Sequence, residues 1–359
     1  MKPPERGGLS PAGSHTNKEF YMKAICLHAP RQVSLVERER PALRPGYALL
    51  RIKAAGICGS DLGAYRGTNP LISYPRILGH ELAGEIVEID GGNPRGLKTG
   101  DRVVADPYLF CGHCYPCSLG RTNCCEDLQV LGVHVDGGFS EYFLHPTDML
   151  LPIPDGVSWA DAALAEPLTI ALHCLHRTGL RQGMHIAING AGTIGLLAAL
   201  SAKSYGAEPV LIDPVPQRLS FARSLGISHV VNLKEEDPVS ALRDITGGRM
   251  AEVVMEASGA SSAIRNTLDM VSFAGSIGLT GWPKSETALP TDVITRKEID
   301  IAGCRTSVGE FQEALELIQR GEVNVQAIVS DTISLDAVPQ MLQELSDHPE
   351  QHLKSVVLL

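Results

Sequence analysis

Residues 185–214 read H-I-A-I-N-G-A-G-T-I-G-L-L-A-A-L-S-A-K-S-Y-G-A-E-P-V-L-I-D-P. An apolar run, His185–Ile188, meets a glycine-rich turn. A long small-residue helix follows, and a second apolar run, Pro209–Ile212, ends on Asp213. The turn is G-x-G-x-x-G, with Gly190 for the tight bend, Gly192 for close approach of a pyrophosphate and Gly195 for helix–sheet packing. Thr193, Ile194 and Gly195 open the helix, whose free N–H groups and positive dipole end suit phosphates. Asp213 stands where a carboxylate bonds both ribose hydroxyls. The stretch predicts a dinucleotide-binding βαβ unit.

Working outward, strands at Val230–Asn232, Val253–Met255, Ile277–Leu279 and Ile299–Ala302 alternate with helical stretches such as Gln217–Leu225 and Ala263–Met270. Alternation of this kind predicts an α/β fold, a doubly wound parallel sheet with helices on both faces. Upstream, Met22–Leu27, Val33–Val36 and Ala48–Ala54 read as short strands punctuated by Pro and Gly, so the chain to about residue 155 is expected to be β-rich and barrel-like. Ser158, with Asp161 three residues on, predicts the start of one helix over Ala160–His176. Helices at Phe311–Gln319 and Leu335–Leu345 precede a last apolar run, Leu353–Leu359, expected to return to the first domain.

The chain has 359 residues, 44% hydrophobic and 20% charged, with a net charge of −10. That length holds two domains, and the charge excludes nucleic acid and anionic membranes as partners. No apolar run approaches the ~20 residues of a membrane-spanning helix. Residues 1–21 are polar and rich in Gly and Pro, which predicts a disordered extension rather than a secretory signal. Nine cysteines without such a signal point to metal or free thiols, hence to the cytoplasm.

The segment C-G-H-C-Y-P-C-S-L-G-R-T-N-C-C spaces thiols as C-x2-C-x2-C-x7-C at Cys111, Cys114, Cys117 and Cys125. Four clustered thiolates repel unless a cation neutralises them, and a filled four-sulfur shell makes a structural zinc site. Cys124 competes for the fourth place, and His113 lies inside the loop. Outside it stand G-I-C-G-S-D-L at Gly56–Leu62, G-H-E at Gly79–Glu81 and L-A-E-P-L at Leu164–Leu168. A thiolate, an imidazole and a carboxylate from these leave a zinc shell with a vacancy. Taken singly, Cys58, His80 and Glu166 are each ambiguous.

From Met22 onward the chain resembles the zinc-dependent medium-chain dehydrogenases/reductases, with G-I-C-G-S-D, I-L-G-H-E-L-A-G, G-D-R-V, the four-cysteine loop, A-E-P-L and G-A-G-T-I-G in family order. The resemblance implies a GroES-like barrel over residues 22–165, completed by about 306–359, and a Rossmann domain over 166–305. It implies one structural zinc on Cys111, Cys114, Cys117 and Cys125, and one catalytic zinc on Cys58 and His80, with Glu166 in the third position and Glu81 beside it. The implied reaction is hydride transfer from an alcohol carbon to a nicotinamide. Ser60 matches the hydroxyl that passes the proton onward, but Gly63 stands where relatives often place a relay histidine.

Asp213 and Pro214 favour NAD over NADP. Arg218 is expected over the adenine edge, and Thr280 and Arg305 near the nicotinamide or substrate. G-S-D, G-H-E and A-E-P-L resemble the sorbitol-type branch, implying oxidation of a secondary alcohol of a polyol or sugar acid. A threonine- or butanediol-type dehydrogenase, and a non-catalytic NAD-binding protein, are the alternatives. A homo-oligomer, dimer or tetramer, is expected.

Overall fold

A computed structural model of the chain describes residues 20–91, 93–283 and 285–359. Up to residue 19 the expected extension lies outside the described residues. Tyr21, assigned to it, instead pairs with Glu39 at the start of the first strand.

Alternating apolar residues and frequent turns make the first half β-rich. In chain order come β1 (Tyr21–Ala29), β2 (Gln32–Glu39), β3 (Tyr47–Ile57), α1 (Gly59–Arg66), β4 (Arg76–Ile77), β5 (Glu81–Ile89), β6 (Arg102–Ala105) and β7 (Tyr108–Leu109). The short α2 (Tyr115–Ser118), β8 (Gln129–Val130), β9 (Tyr142–Pro146) and β10 (Leu150–Pro152) follow. Ile25, Leu50, Ile52, Leu82, Ile86 and Phe139 fill the interior of this barrel.

The expected single helix after Ser158 is two: α3 (Trp159–Ala163) and α4 (Ala165–Arg177), with Leu164 between them. Pro167 explains the break, because its ring crowds the carbonyl four residues back while being tolerated in a first turn. Ser158 does cap α3, accepting from the Asp161 N–H.

Next come β11 (His185–Asn189), α5 (Thr193–Ser204), β12 (Glu208–Asp213), α6 (Pro216–Ser224), β13 (His229–Asn232), α7 (Pro238–Ile245), β14 (Ala251–Glu256), α8 (Ser261–Met270), β15 (Val271–Leu279), α9 (Thr291–Lys297) and β16 (Asp300–Gly303). The sheet is parallel, in the order β13-β12-β11-β14-β15-β16. Its order reverses at β11, so a crevice opens beyond the carboxyl ends of β11 and β14.

The chain then forms α10 (Phe311–Gln319), β17 (Val329–Ser334), α11 (Val338–Asp347) and β18 (Lys354–Leu358). The expected helix from Leu335 begins only at Val338, after a short 3-10 turn. The C-terminal run does return to the first half: β18 pairs antiparallel with β3, from Ser355 opposite Ile57 to Leu358 opposite Ala54. Among the described residues no helix is long and apolar enough to cross a membrane.

Candidate active site and metal centres

Four separate elements bring the buried ligand set together. Cys58 ends β3's run into α1, and the Asp61 carboxylate accepts from the N–H groups of Cys58 at 2.9 Å and Gly79 at 3.3 Å. One side chain thus ties the thiol turn to the turn carrying His80. Glu81 opens β5 opposite Gly56 of β3. A Cβ at Gly56 would fall 1.7 Å from Glu81 Oε2, so only glycine admits this carboxylate. Glu166 lies in the first turn of α4.

Ligand atoms of Cys58, His80 and Glu81 lie within 4.8 Å of one another. Glu166, which the resemblance puts in the third position, stands outside that group. The two glutamates are held differently. Glu81 Oε1 accepts from Lys354 Nζ, which also donates to the Ile57 carbonyl at 3.0 Å, whereas Glu166 Oε1 accepts from the Tyr108 hydroxyl. Their second oxygens, and His80 Nδ1, are buried without a partner.

Buried polar atoms left without a hydrogen bond are costly, and the ligand atoms of Cys58, His80 and Glu81 are close enough together to share a cation. Burial opposes a charge on His80, but Asp61 and Cys58 outweigh it and hold its pKa well above the ordinary value. Burial likewise lifts Glu166 to about 7, against the pull of His80. A thiol, an imidazole and a carboxylate within 4.8 Å of one another are a donor set that a divalent cation fits.

The second set is self-contained. Cys114 Sγ lies 3.4 Å from Cys117 Sγ and 3.8 Å from Cys125 Sγ. A zinc tetrahedron of sulfurs needs edges of about 3.8 Å. Backbone N–H groups aimed at the sulfurs lower Cys111 and take Cys114 to about 7. Desolvation takes Cys117 up to about 12. Without a cation the four cannot all ionise, so these residues too fit a metal. Cys124 sits apart, accepting from Arg121 Nη2 at 3.9 Å. His113 shares a looser group with Cys111 and Asp127, its ring 2.9 Å from the Cys111 carbonyl.

A cavity of about 790 Å³ runs from Cys58, Ser60, His80 and Glu166 to Thr280 and Arg305 on the parallel-sheet side, with Ile194 between them and Gly63 on its wall. A narrower passage of about 230 Å³ joins Cys58 and Glu166 to Gly192, Thr193, Ile194, Arg218 and Lys354. The glycine turn is shaped for a ligand. A Cβ at Gly195 would meet the Gly190 carbonyl at 1.8 Å, whereas one at Gly192 would meet nothing within 4 Å. The Thr193 hydroxyl donates to the Leu353 carbonyl. Asp213 accepts from Ala191 N and Val215 N, each at 2.8 Å, with Arg218 Nη1 4.0 Å away. One lone pair per oxygen is left for a ribose.

Residues 44–155 match the model of the alcohol dehydrogenase GroES-like domain, and residues 193–320 match that of the zinc-binding dehydrogenases. The chain belongs to the zinc-binding alcohol dehydrogenase family. This dehydrogenase is 55% identical to an uncharacterised zinc-type alcohol dehydrogenase-like protein of Haemophilus influenzae, over 93% of this chain and 97% of that one. It is 35% identical to a sorbitol dehydrogenase of Bacillus subtilis, over 94% and 97%. It is 36% identical to the L-galactonate-5-dehydrogenase of Escherichia coli, over 86% and 91%. Among solved structures, an E. coli CFT073 alcohol dehydrogenase complexed with NADH superposes with a TM-score of 0.89 at 31% identity, over 95% of this chain and 100% of that one.

Sequence reasoning passed over Tyr108, Asp61 and Lys354. Lys354 left a signal, as a lysine inside an apolar terminal run that is only 3% exposed.

Proposed function

We propose that this dehydrogenase uses zinc and NAD to oxidise a secondary alcohol of a polyol or sugar acid to the ketone. One observation carries the reading. Buried atoms of His80, Glu81 and Glu166 have no hydrogen-bond partner, and Cys58, whose ligand atom lies within 4.8 Å of those of His80 and Glu81, lines both the passage from the glycine turn and the large cavity. Cys58 and His80, with Glu81 or Glu166, would hold the catalytic zinc, which supplies a Lewis acid that acidifies the substrate hydroxyl. The four thiols from Cys111 to Cys125 would hold the structural one.

Within the cavity, Ser60 is placed to take the hydroxyl proton, and a bound nicotinamide would supply the hydride acceptor for the carbinol carbon. The apolar Ile170 and Ile194 beside the reacting end exclude water. Lys354 and Tyr108 hold one oxygen of each glutamate and leave the other without a hydrogen-bond partner. Gly63 supplies no relay group, so beyond Ser60 the proton passes to another group or to water.

The proposed division is a GroES-like part over residues 22–165 with 306–359, and a Rossmann part over 166–305. The exposed edge strand β16, with Ile301 on it, supports a homo-oligomer. Screening sorbitol, galactitol, hexonates, threonine and butanediol for NADH formation tests the substrate class. Preference for threonine or butanediol overturns it. NAD should be strongly preferred over NADP, and Asp213→Ala should relax that preference at least about tenfold by removing ribose bonds and charge repulsion. Equal efficiency of the parent with both cofactors would contradict the assignment to Asp213.

A further inference from the structure

Arg305 follows β16, where Asn123 Nδ2 donates to its carbonyl at 2.7 Å and fixes the backbone. Its guanidinium has no protein partner among the described residues. Among the described residues no carboxylate lies within ion-pair distance of it, and no side-chain hydrogen bond reaches it. It lines the large cavity together with His134. Burial depresses the His134 pKa, and the Arg305 charge depresses it further, which places that charge close to the ring.

The surroundings share this surplus of donors. Thr280 and Thr306 line the same cavity, and the Thr306 hydroxyl is buried without a hydrogen-bond partner. Thr306 also adopts φ +48°, which is rare for a β-branched residue and tends to persist where function requires it. Among the described residues Glu166 is the one acidic residue lining the cavity, with Cys58 and His80 also on its walls. The cavity is therefore polarised, with a ligand set for a hydroxyl oxygen at one end and an uncompensated fork of N–H donors at the other. Cofactor phosphates do not account for that fork. The passage by Gly192 and Thr193 is lined by Arg218 and Lys354, and Arg305 is absent from its walls.

We infer that Arg305 is a specificity-determining residue that binds a terminal oxyanion of the substrate, so that the preferred substrate is an anionic polyhydroxy compound rather than a neutral alditol. Planar guanidinium matches carboxylate and phosphate bidentately. A neutral alditol would leave the fork unmatched. The inference rests on the dehydrogenase reading proposed above and narrows its substrate.

The test compares kcat/KM for a hexonate, the matching hexitol and the hexitol 1-phosphate in the parent, Arg305→Met and Arg305→Lys. The parent should favour an anionic substrate, and the better of hexonate and phosphate identifies the oxyanion. The ratio of anionic to neutral kcat/KM should fall about 10- to 100-fold in Arg305→Met, as expected for a charge-assisted hydrogen-bond pair. Arg305→Lys should recover part of it, having charge without the fork.

Calorimetric titration of the hexonate or phosphate into the zinc-loaded NADH complex supplies a readout independent of turnover. Its affinity should drop by a similar factor in Arg305→Met, while NADH affinity holds. A parent preferring the hexitol, an unchanged ratio, or equal oxyanion affinity in parent and variant overturns the inference. Oxyanion binding that depends on Arg305 without turnover of any substrate would instead remove the oxidation reading and leave the Arg305 site standing.

Discussion

In the loop from Cys111 to Cys125 the sulfurs and nearby backbone N–H groups face one another. By contrast, Cys58, His80 and Glu166 line a cavity, and His80, Glu81 and Glu166 each keep a buried atom without a hydrogen-bond partner. The first arrangement completes a coordination shell from one stretch of chain. The second assembles from the turn between β3 and α1, the turn before β5, β5 itself and α4, and depends on Lys354 and Tyr108 to hold its carboxylates. Closure serves stability and incompleteness serves chemistry, so damage to each centre should have its own signature.

The most severe test of that contrast is His80→Ala. Turnover should fall by at least roughly 10³-fold, because no other group here offers comparable stabilisation of a developing oxyanion. NADH affinity should stay within about threefold, since the glycine turn lies on the parallel-sheet side of the cleft. Loss of NADH binding in step with turnover would erase the separation. Ser60→Ala should cost roughly 10²-fold, at the lower end for one proton-transfer group. A negligible loss would move the proton's exit elsewhere.

Cys114→Ser attacks the closed centre. Because a structural metal contributes folding energy, we expect a Tm lower by about 5–10 °C, with the remaining folded protein still active. Activity lost without any fall in Tm would make the thiol loop part of the chemistry.

The smallest effect concerns the tether between that loop and the rest. Asn123, inside the loop, donates to His173, whose other ring nitrogen lies 2.8 Å from Glu310. Burial opposes ionisation of Glu310, but the His173 and His176 rings outweigh it and hold its pKa at about 2. A depressed carboxylate pKa stabilises fully above the ordinary value near 4.5 and is lost as pH falls toward 2. Urea unfolding should therefore show Glu310→Gln less stable than the parent at pH 5–7, with the gap narrowing at pH 3. A gap independent of pH would show that the charge is irrelevant.

The two centres were also unequally legible in the sequence. The thiol loop could be read because its ligands lie within fifteen residues and their spacing is itself the geometry. The glycine turn was legible for the same local reason. The open centre was legible only as a set of candidates. How the two glutamates are held depends on Lys354, 273 residues from Glu81, and on Tyr108, 58 residues from Glu166. Pairing of β18 with β3 creates the first contact, and no local pattern encodes its register. The break at Leu164 was readable from Pro167, whereas β17, half exposed and polar at alternate positions, left no apolar run to find.

Zinc content measured beside turnover in the parent, Cys114→Ser and His80→Ala tests the division most directly. The account predicts two zinc ions in the parent and one in each variant. Turnover should persist in folded Cys114→Ser, and NADH binding should persist in His80→Ala. A parent carrying a single zinc that survives Cys114→Ser, or a His80→Ala chain that keeps both ions and full turnover, would contradict it.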